Sequence, residues 1–93
     1  MRLIKILCFY TALLPSEEEN LFQIEYRCLQ RFDQLLGAVY DIELVQYSPQ
    51  EGFRHERVAA FTSLRSRART VTRLLYRQGV TCAHLRDVLS DLA

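Results

Sequence analysis

The sequence is short of the residues that build recognisable chemical sites. Its three glycines, Gly37, Gly52 and Gly79, stand alone, so no glycine-rich loop is available to cradle a phosphate. Lysine occurs once, at Lys5, and no RNP-like segment accompanies the aromatic residues, which weighs against a dedicated RNA-binding fold. The three cysteines are odd in number and widely spaced, and only His55 and His84 could join them around a metal. No metal and no cofactor are expected. Cys8 and Cys28 read as small buried hydrophobes, in a chain that belongs in the reducing cytoplasm. Long apolar runs are missing too: Met1 to Leu14 is too short to span a bilayer. Pro15 and three glutamates follow it where a leader would carry a small-residue cleavage site, so neither a signal peptide nor a membrane partner is expected. Nucleophile patterns are equally scarce. Cys28 with a distant His84 is the one thiol and base pair on offer, and the expectation is that the protein is not an enzyme.

What remains is ordinary globular composition, 93 residues with 49% apolar and 25% charged side chains, enough for a single domain over 1–93. The net charge of +1 hides an uneven distribution. Residues 1–53 hold four basic side chains against eight acidic ones, whereas residues 54–77 hold seven arginines against Glu56 alone.

The periodicity predicts an α/β fold with a small βαβ core. Residues 2–11 read as a central strand covered on both faces. Ser16 and Glu19 form a capping-box pattern that opens a helix over 16–36, with Leu21, Ile24, Cys28, Phe32 and Leu35 as its apolar stripe and Gly37 as its left-handed end. Residues 39–47 alternate as a second strand, Tyr40, Ile42 and Leu44 on one side and Asp41 and Glu43 on a wetter one, closed by Pro49. The two strands should lie parallel, with a right-handed crossover. Residues 53–64 fit either a short helix or a third strand near 58–64. A mostly helical C-terminal half follows, with one helix over 64–78 on Leu64, Ala68, Val71 and Leu75, ended by Gly79. A second helix over 82–92, on Leu85, Val88, Leu89 and Leu92, has Thr81 placed to cap it. Two strands alone make a marginal sheet, so a third strand or the edge of a second chain should complete it, which makes a homodimer natural.

The strongest single feature is a row of arginines, Arg65, Arg69, Arg73 and Arg77, at i,i+4 steps on the helix face away from the apolar stripe. Such a row suits a solvated face offset by Glu17 to Glu19 and Glu25, an acidic protein surface, or a phosphate backbone. Arg57 and Tyr76 stand beside it, and Arg54, Arg67 and Phe53 would support nucleic-acid contacts. The function expected first is that of a small regulatory module that binds a protein partner of acidic surface through this helix or an open sheet edge. A nucleic-acid-binding module is the alternative.

Two family resemblances run along the chain. Lys5 to Tyr10, Pro15, Val39-Tyr40 and Ala60-Phe61-Thr62-Ser63-Leu64 are placed as in the thioredoxin-like clock proteins of the KaiB type, which carry an Ala-Thr-Pro-Thr-Leu segment at the last position. That resemblance implies a thioredoxin-like regulator. Arg67-Ala68, Val71, Leu75 and Gly79-Val80 are spaced as in the arginine-bearing helix of OmpA-like peptidoglycan-binding domains. This second resemblance implies a degenerate domain of that kind, with Tyr47-Ser48-Pro49 where the ligand-binding aspartate would stand.

Overall fold

A computed structural model describes residues 4–15 and 21–92. Four strands, β1 (Lys5–Pro15), β2 (Leu21–Asp33), β3 (Gly37–Ser48) and β4 (Gly52–Thr62), pair in chain order as an antiparallel meander. Helix α1 (Arg65–Gln78), a 3-10 turn at Cys82–His84 and helix α2 (Leu85–Leu92) follow.

The βαβ core is therefore not formed. The described part of the expected helix 16–36 is strand β2 and the turn after it, and the pairing of β2 with β3 is antiparallel. The expected capping box at Ser16 and Glu19 lies outside the described residues. The physical reason lies in the step of four that joins Ile24, Cys28 and Phe32. Four residues complete roughly one helical turn, but they are also two full strand periods, so the same spacing puts these residues on one face of either element. The period that decides is two: Phe22, Ile24, Tyr26 and Cys28 alternate with the polar Gln23, Glu25 and Arg27. Leu35, the last member of the supposed stripe, sits in the turn with its side chain in water.

Both turns between described strands follow one plan. Asp33 Oδ1 accepts from the amides of Leu35 and Leu36 at 2.8 and 3.0 Å, and Ser48 Oγ accepts from Glu51 N at 3.0 Å. Each three-residue loop re-enters the sheet at a glycine in the left-handed region, Gly37 at φ +77° and Gly52 at φ +75°. There the hairpin needs a positive φ that a β-carbon would oppose. Gly37 is thus a turn residue rather than the end of a helix.

Strand 39–47 stands as expected, within β3, and the third strand near 58–64 is the later part of β4. The strand expected at 2–11 starts later and runs to Pro15, at the edge of the sheet rather than its centre. The two C-terminal helices lie close to their expected bounds. Gly79 ends α1, with Val80 N–H bonding back to Leu75 O at 3.1 Å, and Thr81 stands at the N-cap of the 3-10 turn without a side-chain cap bond. The helices follow four strands instead of making up the second half of the chain. A meander opening on antiparallel strands matches neither the thioredoxin-like nor the OmpA-like expectation.

All the helices pack on one face of the sheet. Ile24, Tyr26, Ile42 and Leu44 from the central strands meet Val71, Leu75, Val80, Cys82, Leu85 and Leu89 in the main core. Cys28, Tyr40 and Ala68 form a smaller cluster beside it. Within the core the Tyr26 hydroxyl donates to Val80 O at 2.9 Å, and burial, helped by Cys82, pushes its pKa up to about 12, so it stays a donor.

Candidate interaction surfaces

Helix α1 presents two unlike faces. Ala68, Val71, Thr72 and Leu75 are buried against the sheet, while Arg65, Arg69, Arg73 and Arg77 are all exposed. None of the four makes an ion pair among the described residues. Their arrangement works against the helix. The first turn holds no acidic side chain, Arg65 and Arg67 crowd its positive end, and no side chain caps it at Leu64. Each like-charged i,i+4 pair costs a further few tenths of a kcal/mol. Ser66, Arg69, Thr70 and Arg73, with Tyr10 of β1 as the opposite wall, line a shallow pocket of ≈ 270 Å³. Two guanidinium groups and two hydroxyl groups there can all donate to one anionic group. Tyr10, Ser66 and Thr70 were not foreseen, because only the fold brings β1 beside this helix.

The other expected site residues are dispersed. Tyr76 lies on α1, but its ring stacks on Tyr10 with centroids 5.0 Å apart and meets Tyr26 edge-on at 5.9 Å, so it is committed to packing. Arg67 donates to the Leu92 carbonyl and ties α1 to α2. Arg57 points to the opposite face of the sheet, where it bonds Asp41. Glu25 also lies on that face, paired with Arg27, so it does not offset the arginine row. Glu17 to Glu19 lie outside the described residues.

That opposite face has no helix over it among the described residues. The wetter side expected for β3 is instead an ion-pair lattice in which the β3 acids, Asp41 and Glu43, are buried beneath partly exposed partners. Asp41, 0% exposed, accepts from Arg31 Nε at 2.9 Å, from Arg57 Nε at 3.0 Å and from the Ala60 amide at 2.7 Å. Burial alone would raise its pKa; the Ala60 amide and the guanidinium groups of Arg57 and Arg31 outweigh that and hold it below the usual carboxylate range. Ala60 reaches it from a bulge in β4, at φ +49°, a left-handed conformation that costs an alanine about 1–2 kcal/mol. Glu43 is shared between Arg27 Nη1 at 3.0 Å and His55 Nε2 at 2.8 Å. The signal for this lattice was present in the alternation of Arg27 and Arg31 on β2 against Asp41 and Glu43 on β3, readable only once β2 is known to be a strand.

Cys8 and Cys28 face each other across β1 and β2 as free thiols. Burial first, and Cys8 next, push the Cys28 pKa up to about 11, and Cys28 lies under Ala68 in the smaller cluster. His84 is exposed on the 3-10 turn, whose other contacts run to β3 and β4, so no thiol and base pair is assembled there. Among the described residues no group of three or more His, Cys, Asp or Glu side chains converges as a metal site. No described helix is long and apolar enough to cross a membrane.

The fold and its surfaces define a four-stranded antiparallel meander with helices on one face, a basic helix turned outward and a second sheet face with no helix over it among the described residues. No protein-family model, curated protein or solved structure matches the chain.

Proposed function

We propose that the protein is a small, non-enzymatic interaction module that docks on the acidic surface of a protein partner through α1. The observation that carries this reading is the row of exposed arginines, Arg65, Arg69, Arg73 and Arg77, held without an acidic partner among the described residues at a cost to the helix that bears them. Local rules are broken in this way where a surface serves something other than its own stability. The pocket between Arg69, Arg73 and Tyr10 supplies the concave part of the surface, suited to one carboxylate or phosphoryl group of the partner. Nucleic acid is the less favoured ligand, because the Tyr76 ring that would stack on a base is already stacked on Tyr10. The setting we favour is the reducing cytoplasm, where the facing Cys8 and Cys28 remain thiols.

The test is affinity purification from native lysate at low salt, with and without nuclease. A specific protein should survive nuclease and be lost when Arg69 and Arg73 are both changed to glutamate. Recovery of nucleic acid alone, released steeply by moderate salt, would replace this reading with phosphate binding.

A further inference from the structure

The open face of the sheet has a composition that the arginine helix does not explain. Strand pairing sorts it into rows that cross the four strands: Leu13, Gln23, Tyr47 and Phe53 in one, and Phe9, Arg27, Glu43 and Arg57 in another. Large apolar side chains stand in water at the two edges, with Phe9 61%, Leu13 64% and Phe53 78% exposed. Between them the charges have paired with one another: Glu25, Asp41 and Glu43 balance Arg27, Arg31 and Arg57. The face is neutral in sum; the side chains of its central acids, Asp41 and Glu43, are only 0% and 9% exposed, so covering it desolvates chiefly the arginines and the histidine already paired with them.

We propose that this face is the interface for a second copy of the chain, the two sheets stacking face to face with their helices outward. Two arguments select a copy of itself. The first is charge complementarity. A two-fold axis running along the strands sets β1 of one copy over β4 of the other, and so lays β2 over β3. In the rows above this places Leu13 over the partner copy's Phe53 and Arg27 over the partner copy's Glu43, with each contact repeated by symmetry. Leu13 and Phe53 meet as apolar groups, Arg27 and Glu43 meet as opposite charges at the centre, and Phe9 falls over the partner copy's Arg57 and Glu25 over its Val45. The second argument is area. Four strands about 4.8 Å apart, each of about eleven residues rising ~3.4 Å, present about 700 Å². That is close to the ~800 Å² per partner of a standard stable interface. The arrangement is independent of α1, which lies on the far side of each sheet.

The experiment is sedimentation equilibrium across a range of concentrations on the wild-type chain and on a Phe9→Thr, Leu13→Thr, Phe53→Thr variant. The expected wild-type mass is twice 10.9 kDa, with at least tenfold weaker association in the variant and an unchanged circular dichroism spectrum. A wild-type chain that stays monomeric at every concentration overturns the proposal. So does a dimer that the substitutions leave intact, since pairing through the backbone at a sheet edge would not feel them. Should the variant fail to fold, Leu13→Cys and Phe53→Cys chains, purified separately and mixed, give the second reading. Each chain then carries only one of the two introduced cysteines, so any product joining these positions spans two copies. A short bis-maleimide should therefore join Leu13→Cys of one copy to Phe53→Cys of another above the wild-type background, and no such product from a dimeric mixture overturns the proposed face.

Discussion

At the scale of single residues, Asp41 is the side chain on which most of the open face depends. Its carboxylate is enclosed by Arg31, Arg57 and the Ala60 amide, with Glu43 the nearest acid on the same strand face. Replacing it with asparagine leaves two guanidinium groups facing a neutral amide. The Asp41→Asn protein should lose about 3 kcal/mol at pH 7 by urea unfolding, the low end of what breaking a buried ion pair costs, because both arginines keep some contact with water. The pH dependence has a definite sign. Asp41 has a folded pKa below its unfolded value of about 4, so its contribution is fully present above that pH and is lost as pH falls toward the lower folded value. The difference between wild type and Asp41→Asn should therefore be constant from pH 7 to about 5 and shrink below about 4. A difference that persists unchanged at pH 2 to 3 would show that the asparagine acts through packing instead.

At the scale of elements, α1 separates function from stability. Changing Arg69 to glutamate converts two repulsive i,i+4 pairs, with Arg65 and with Arg73, into attractive ones. The Arg69→Glu helix should gain about 1 to 2 kcal/mol in thermal or urea unfolding while the protein loses its partner, opposite signs that a purely structural arginine would not give. This helix was legible in the sequence because its steps of three and four, Ala68, Val71 and Leu75, have no strand interpretation. The alternation of β3 was legible for the same reason in reverse. β2 was not, since Ile24 and Cys28 satisfy both periods, and with it went the antiparallel sheet, the turn role of Gly37 and the open face. The arginine row itself could be read directly. Its neighbours could not, because Tyr10 and the commitment of Tyr76 depend on which strand lies beneath the helix.

For the whole molecule, two thiols report on integrity. Cys28 and Cys82 are buried between sheet and helices, and burial raises the pKa of both, that of Cys28 to about 11. In native protein at pH 8, iodoacetamide should modify Cys8 alone, the one cysteine with part of its surface in water. Cys28 and Cys82 should label together, at the rate at which the helices leave the sheet. Mass spectrometry of the time course distinguishes this from local opening, in which one of the two would react well before the other.

The order of elements also bears on how the chain is made. Each strand pairs with its neighbour in sequence, so the sheet can zip in the order of synthesis, but everything that covers its inner face comes after it, from Arg65 onward. At translation rates of about 5 to 20 residues per second, Ile24, Tyr26, Ile42 and Leu44 wait about 1 to 9 s for Val71, the first helical residue of their core. Until then the apolar side chains of the sheet's inner face have no helix to pack against, which makes that interval the one in which the chain is most prone to association.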